Sequence, residues 1–476
     1  MANLMLLSCL AFLRWVFRAD RQYRTFPSKA LWIPALWIFL LASRPPSLWL
    51  EIFNIHLFTV DGEGGESNPI NTIVIFSLIF AAIVVLVRRR MNWSSFFGAN
   101  KALTCMYLYF ALTTLWAPET FVSLRRLIKD FGNVLIILVM FTEVHPWQSC
   151  RTLLVRISYL FISLSLLTAK FFPDIGRNAA RAGDTLYTGL TTQKNSLGQA
   201  AFLCILFLVW DLIEISKQLS PKELRRARII RFAIIGMGVM LMSLANSSTA
   251  ITCLILGVGL LFLLNRAQSY QNGRKVIGGV ILLAILAFGL EEMFHITQSI
   301  VEMFGKDMTF TGRTLIWDEA IRLMDRPLLG IGFYEFWYTP RAAILYENLG
   351  DLIHVKTVHN GFVEVYLDGG QVGLVFLGVL LIATLKKAYN SLSEAGPRSL
   401  PLIFFVIGLI YNNSESSYFR MNLLWFLLLL FSTTYHHFAK TSLETSSLPS
   451  SVVVASQVQH KRSCTLRSPF IHAIIS

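Results

Sequence analysis

Four short stretches of this chain place polar or charged side chains where chemistry can be done. The first is His359-Asn360, followed by Glu364, Asp368, Gly370 and Gly373, which runs from a polar segment straight into an apolar one. Imidazole titrates near neutral pH, so at the margin of a bilayer His359 is the candidate general base. Asn360 would position it or the acceptor. The second stretch, Thr311–Met324, opens with small polar residues, then shows helical periodicity and is stopped by Pro327. Arg313 and Trp317 stand one turn apart on one face of such a helix, and Asp318 can pair with Arg322 in the same way. A guanidinium grips phosphate oxygens through a planar fork and stays charged, which suits Arg313 to an anionic leaving group.

The third stretch is Gly189–Gly198, where Lys194-Asn195 begins a new apolar helix. Free N–H groups and the helix dipole there add to the attraction of Lys194 for phosphate. Arg177 and Arg181 lie just upstream, and Arg125, Arg126 and Lys129 make a second basic group. The fourth stretch, Asn412–Ser417, carries Glu415 between the last two apolar runs; acids at membrane depth are costly and tend to be functional. Each residue also has a plainer reading. His359 can be a structural histidine at a helix start. Arg313 can pair with Asp318 or Glu319 on a solvated face. Glu364 and Asp368 can orient sugars or simply face water. Trp317, Phe333, Phe336, Trp337 and Tyr338 can stack on sugar rings or anchor a loop at the interface.

The elements that must hold these residues follow from composition. Hydrophobic residues make up 54% of the 476 and charged residues 15%, against about 25% charged in a soluble domain. Mean hydropathy is +0.57. Repeated apolar runs of roughly 15–20 residues indicate an all-α polytopic membrane bundle. We place runs near Leu31–Leu41, Thr72–Val87, Leu103–Trp116, Val134–Val144, Leu153–Ala169, Leu197–Ile215, Ile229–Leu244, Ala250–Leu264, Val276–Leu290, Val372–Leu385, Leu400–Ile410 and Leu423–Tyr435. That makes about twelve spans, within a range of about 11–13. Met1–Leu13 reads as a further span or an interfacial helix. Arg14, Arg18, Arg21 and Arg24 follow it, which argues against a cleaved signal peptide.

Basic runs at Arg88–Arg90, Lys222–Arg231, Arg266–Lys275 and Lys386-Lys387 fall on alternate loops. The positive-inside bias makes those loops cytoplasmic and puts Glu291–Gly370 outside. The expected organisation is an N-terminal bundle over 1–293, an outer loop domain over 294–370, C-terminal spans over 371–438 and a disordered cytoplasmic tail over 439–476. The net charge of +14 sits mostly between spans, so nucleic acid is not an expected partner. The six cysteines are scattered without metal-ligand spacing, so neither disulfides nor a zinc site are expected. Gly330-Ile331-Gly332-Phe333 lacks the preceding strand of a dinucleotide loop and reads as a turn packing the loop on the bilayer surface.

Three of these stretches together resemble the O-antigen ligase/polymerase superfamily, and more closely its exopolysaccharide-production (ExoQ-like) branch. They are Arg313-Thr-Leu-Ile-Trp317 with Pro327 and Gly330-Ile-Gly332; His359-Asn360 with Gly370-x-x-Gly373; and Lys194-Asn195-Ser-Leu-Gly198. Leu31-Trp-Ile-Pro34 and Ser43-Arg44-Pro45 are similar to the opening of the exopolysaccharide branch. The resemblance implies a fold like that of the all-helical (GT-C-like) membrane glycosyltransferases. It implies a multi-pass protein of the bacterial inner membrane whose catalytic face is periplasmic. The donor would be an undecaprenyl-pyrophosphate-linked glycan, and the acceptor a glycan or a second lipid-linked glycan. Neither metal nor cofactor is expected, and other polysaccharide-export proteins are possible partners.

On this reading His359 and Arg313 are catalytic, and Lys194, Asn195, Arg181, Arg177, Asn360, Trp317, Glu364 and Glu415 bind substrate. One departure stands out. Asn246-Ser247-Ser248-Thr249 occupies the place where many ligases carry a Ser-Arg pair. That absence, and two outward basic groups suited to two pyrophosphate lipids, favour a polymerase of repeat units over a ligase that transfers the glycan to lipid A core. A non-enzymatic flippase or exporter of lipid-linked glycans is the alternative of another class.

Overall fold

The computed structural model describes residues 1–21, 28–52, 55, 68–179, 185–216, 219–266, 309–350, 356–392 and 399–434. The expected run Val276–Leu290, residues 267–308, Arg181 and the tail lie outside them. The described chain is helical apart from a short β-hairpin, β1 (Arg177–Ala179) paired antiparallel with β2 (Thr185–Tyr187). In chain order the helices are α1 (Ala2–Arg21), α2 (Trp32–Ala42), α3 (Pro46–Ile52), α4 (Pro69–Arg88), α5 (Trp93–Ala99), α6 (Lys101–Thr113), α7 (Thr120–Phe141), α8 (Pro146–Phe171) and α9 (Pro173–Gly176). They continue with α10 (Lys194–Ile215), α11 (Pro221–Ala245), α12 (Ser248–Arg266), α13 (Thr309–Arg322), α14 (Pro340–Leu349), α15 (Gly361–Ser391), α16 (Leu400–Ser414) and α17 (Leu423–Ser432).

Local chemistry sets many of the ends. Pro at the first turn costs no hydrogen bond, and it opens α4, α8, α11 and α14. Side chains of Asn68, Asn360 and Asn422 accept from the first free amides of α4, α15 and α17. Ser220 and Glu223 form a capping box at the start of α11, and Asn246 ends that helix in the left-handed region.

Among the described residues, seven helices are long and apolar enough to cross a membrane, or eight if the pair bent by 78° at Lys29–Ala42 and Pro46–Ile52 is one span. The protein is therefore a polytopic helical membrane protein. The helix α1 passes this test, so the ambiguous N-terminal stretch is a full helix. The apolar run expected at Val134–Val144 belongs to a helix that starts at Thr120, so Arg125, Arg126 and Lys129 are helical and not in a loop. Helices α8, α10 and α17 form the interior, and every residue of α17 is buried. Helices α4, α11 and α12 turn apolar side chains such as Phe80, Phe232 and Phe262 outward, the surface expected toward lipid.

Several charges buried among the helices are paired. Asp211 on α10 accepts from Arg151 Nε of α8 at 2.5 Å and from Arg231 Nε of α11 at 2.7 Å. Asp20 of α1 accepts from Arg156 Nε at 3.0 Å. These pairs join the start of α8, the end of α10, the start of α11 and the end of α1. The opposite end of the bundle gathers the starts of α10, α12 and α15 and the end of α16, and it carries the residues of interest.

Helix α15 is broken at Gly370 (φ 63, ψ −161). A break in an apolar environment strands carbonyls and amides that must find partners. The segment Pro327–Gly332 supplies them. Ile331 N donates to Leu367 O at 2.9 Å and Gly332 N to Asp368 O at 3.1 Å. On the other side Gln371 N and Val372 N donate to Pro327 O and Leu328 O at 2.9 and 3.2 Å. Tyr109 Oη donates to Gly369 O at 2.5 Å. The glycine pattern Gly330-Ile-Gly332 therefore packs on the helix break and not on the bilayer surface. A Cβ on Gly330 would lie 2.4 Å from Asp368 O, and one on Gly370 would lie 2.4 Å from Leu328 O.

Beside this latch the described segment between α12 and α15 packs around a hydrophobic core. It is built from Ile316, Ala320, Phe336, Trp337, Leu345, Val358 and Leu367. Phe333, Phe336 and Trp337 are buried in packing, so they are neither sugar platforms nor interfacial anchors, while Tyr338 remains exposed. Gly370→Ala meets both a clash and a positive φ, worth about 1–3 kcal/mol of strain. It is expected to lower the thermal midpoint in detergent and to speed tryptic cleavage at exposed Arg322. Gly378→Ala on the same helix, which meets open space, should do neither.

Candidate functional site

The site is assembled from five elements. Helix α13 presents Arg313 and Trp317 on one face, as their spacing requires. Trp317 Nε1 donates to Val358 O at 2.6 Å, so this ring holds the loop before α15. Val358 N is held too, donating to Glu364 Oε1 at 2.9 Å. With Val358 fixed on both sides, His359 is set in the left-handed region at φ 54. Its N–H donates to Thr357 Oγ1 at 3.2 Å, and Thr357 Oγ1 meets Ser416 Oγ at 2.8 Å. Asn360 caps α15, its Oδ1 accepting from Phe362 N and Val363 N at 2.9 and 3.2 Å.

Glu415 is the hub. It follows the last residue of α16 in extended conformation. Its Oε2 lies 2.9 Å from His359 Nδ1. Its Oε1 accepts from Asn195 Nδ2 at 2.8 Å and from Arg313 Nη2 at 3.2 Å. Arg313 Nη1 donates to Ser414 O, and Ser414 Oγ meets Thr249 Oγ1 at 3.1 Å. The side chains of His359 and Arg313 are each 23% exposed and that of Glu415 is 11% exposed, so a ligand can reach them. Lys194, half-buried, opens α10 one residue before Asn195. Arg313 and the N-terminal dipole of α10 both oppose the charge of the one carboxylate. If His359 Nδ1 carries the ring proton toward Glu415, the lone pair is on Nε2, free to accept a proton.

The sequence expectations fare unevenly. Arg313, His359, Asn195 and Glu415 are brought together, and Lys194 stands beside them. Asn360 serves as a helix cap, and Trp317 as a brace. Glu364 and Asp368 do not face solvent: both are buried. Glu364 accepts from Val358 N, from Trp337 Nε1 at 3.2 Å and from Arg420 Nη2, which leaves no oxygen directed at a substrate. Arg177 is turned to the end of α8, donating to Ala169 O and Lys170 O at 2.8 Å each. Arg322 pairs with Glu319 at 2.6 Å and not with Asp318, and Arg313 pairs with neither. Arg181 lies outside the described residues.

Two residues of the other basic group, Arg126 and Lys129, are engaged in packing. Arg126 donates to Tyr334 O at 2.9 Å and Glu335 Oε1 at 3.1 Å, and its guanidinium lies 3.9 Å from the centre of the Tyr338 ring. Lys129 donates to Thr72 Oγ1 at 3.2 Å. Arg420, Glu335 and Ser414 had no sequence signal. Their partners lie 56 to 209 residues away in the chain and only folding names them. Among the described residues, no cluster of three or more His, Cys, Asp or Glu side chains is placed to hold a metal ion.

Glu335 joins the segment after α13 to Arg126 of α7 while fully buried. Burial pushes its carboxyl up to about 7, opposed by Arg126 and reinforced by the nearby Glu119 charge. A raised carboxyl favours the folded state while protonated. That contribution is complete below its ordinary value of 4.5 and is lost as pH rises through about 7. The thermal midpoint should therefore fall between about pH 5 and 8, with Glu335→Gln flattening that slope. An equal slope in the variant would place the titration elsewhere.

Residues 232–378 match the family model described as O-Antigen ligase (Wzy_C). That range includes Arg313, Trp317, His359 and Asn360, and it excludes Lys194, Asn195 and Glu415. The chain is also similar to the exopolysaccharide production protein ExoQ of Rhizobium meliloti (strain 1021). They are 22% identical over 313 residues, which cover 63% of this chain and 68% of that protein.

Proposed function

We infer that this chain, which carries the domain of the O-antigen ligase superfamily and groups with its ExoQ-like branch, is a membrane glycosyltransferase that polymerises undecaprenyl-pyrophosphate-linked repeat units of an exopolysaccharide. A membrane role in polysaccharide synthesis follows from the family. The observation that supports catalysis is the meeting of Arg313, His359 and Asn195 on Glu415, beside Lys194, at one end of the bundle.

In the proposed reaction an acceptor hydroxyl oxygen bonds to the anomeric carbon of the donor glycan. The bond from that carbon to the pyrophosphate oxygen breaks, and undecaprenyl pyrophosphate leaves with the electron pair. The hydroxyl proton passes to His359 Nε2. Arg313 and Lys194 hold the charge that grows on the leaving group, the part a metal ion plays in many soluble transferases.

Polymerase is preferred to ligase because the chain resembles ExoQ and lacks an arginine at Asn246–Thr249, where Thr249 instead meets Ser414 beside Arg313. Two basic groups do not add to this preference, because Arg126 and Lys129 already have partners. Purified protein given one lipid-linked repeat unit should build a ladder of longer lipid-linked chains, with or without EDTA. His359→Ala and Arg313→Ala should each slow this by about a hundredfold or more. Arg313→Lys should restore only part, since a point charge does not replace a fork. No ladder, with glycosylated lipid A appearing when lipid A core is added, would make the protein a ligase. Relocation of intact donor without release of undecaprenyl pyrophosphate would make it a carrier.

The proposed setting is the bacterial inner membrane, with a GT-C-like bundle of about twelve spans, an outer loop domain over 294–370 facing the periplasm and the tail from 439 in the cytoplasm. Basic runs at Arg88–Arg90 and Lys222–Arg231 belong to the helix ends opposite the site, which accords with the positive-inside bias. Reporter fusions at Asn348 and Ser446 should give opposite sidedness. Equal sidedness would overturn this topology.

A further inference from the structure

We propose that Glu415 is a placeholder anion. It holds Arg313 where the donor pyrophosphate will bind, and once displaced from Arg313 it remains as the positioning partner of His359. This rests on the reading that Arg313 grips pyrophosphate.

Four features carry it. One carboxylate is divided between two tasks, Oε1 serving Asn195 and Arg313 and Oε2 serving His359. At 3.2 Å the Arg313 contact is longer than the Asn195 contact at 2.8 Å and the His359 contact at 2.9 Å. It is also single-pronged, because the other terminal nitrogen of Arg313 is spent on Ser414 O. A single-pronged pair is weaker than the parallel two-bond pair that Arg forms with phosphate. It is partly exposed as well, where screening by water makes an ion pair easier to exchange.

The functional sense lies in the sign of the charge. A carboxylate beside a pyrophosphate site repels the substrate unless it has other work. Here it keeps Arg313 extended toward the site and neutral overall while the site is empty. Donor binding then changes the environment of the base, because the loss of Arg313 leaves more of the carboxylate's charge to His359. The two events are thermodynamically coupled, so His359 is fully supported only when a donor is present.

The test uses the full-length protein in detergent, with inorganic pyrophosphate as the probe and titration calorimetry as the readout. Arg313→Ala should weaken binding about tenfold or more. Glu415→Gln should tighten it by about three- to tenfold, because a competing state is removed, and should slow polymer formation by about tenfold at saturating donor. Tighter binding with slower turnover is not what a merely damaged site would give. In the Arg313→Ala background, Glu415→Gln should cause no further tightening. Glu415→Asp keeps the charge and loses the reach to Arg313, so it too should tighten binding; it also serves if the Gln variant fails to fold. Weaker or unchanged binding in both Glu415 variants overturns the inference. So does tightening that persists without Arg313, which would be simple charge repulsion. If Arg313→Ala leaves pyrophosphate binding unchanged, the pyrophosphate role of Arg313 falls, and this inference falls with it. If only the Glu415 results fail, that role stands alone.

Discussion

A helix broken inside a membrane protein exposes backbone groups that lipid cannot satisfy, and the break at Gly370 is repaired mainly by one segment, with Tyr109 adding a bond to Gly369 O. Pro327–Gly332 lies across the gap and exchanges backbone hydrogen bonds with both halves of α15. The repair works only because the two strands of chain approach without side chains at Gly330 and Gly370. The latch fixes the segment that follows α13 against the helix that His359 and Asn360 introduce, which ties the Arg313 stretch to the His359 stretch.

From that anchor the position of His359 follows by steps. Glu364, buried one turn into α15, receives Val358 N, Trp337 and Arg420 together. Trp317 holds Val358 from the other side by donating its indole N–H to the Val358 carbonyl. The left-handed backbone at His359 is thereby over-determined by its neighbours, the condition under which such a conformation persists. The carboxylate most exposed to suspicion as a sugar ligand is in this way a structural brace. The carboxylate with the least sequence context, Glu415, is the one that Arg313, His359 and Asn195 share.

The two ends of the bundle use charge differently. At the end with Asp211, carboxylate and guanidinium groups are almost wholly buried and face one another across α8, α10 and α11. Such pairs cost several kcal/mol per ion to bury, of order 3–5 kcal/mol if one partner is removed, and they bind helices together. At the other end the ions are partly exposed and share one carboxylate. Partial exposure lowers the cost of breaking a pair, and sharing means that one contact can be given up while the others hold. The first arrangement suits a fixed joint and the second suits exchange with a charged ligand.

How much of this was legible in the sequence depends on the range of the interaction. Apolar runs, proline starts and asparagine caps act within a few residues, so the helical membrane class and most helix positions can be read directly. The spacing of Arg313 and Trp317 also predicts their common face. Residue type alone picked out Arg313, His359, Lys194 and Glu415, since few groups at a membrane margin can hold phosphate or accept a proton. Contacts between distant residues were beyond its reach. Nothing local says that Arg126 is taken by Glu335, that Arg177 is turned to the end of α8, or that Glu364 is enclosed. Nor does it say that Asn195, Arg313 and His359 share Glu415. The chain by itself determined which side chains had the chemistry. The packing of α10, α13, α15 and α16 decided which of them meet, because a hydrogen bond or ion pair forms only at a few ångströms, whatever the separation along the chain.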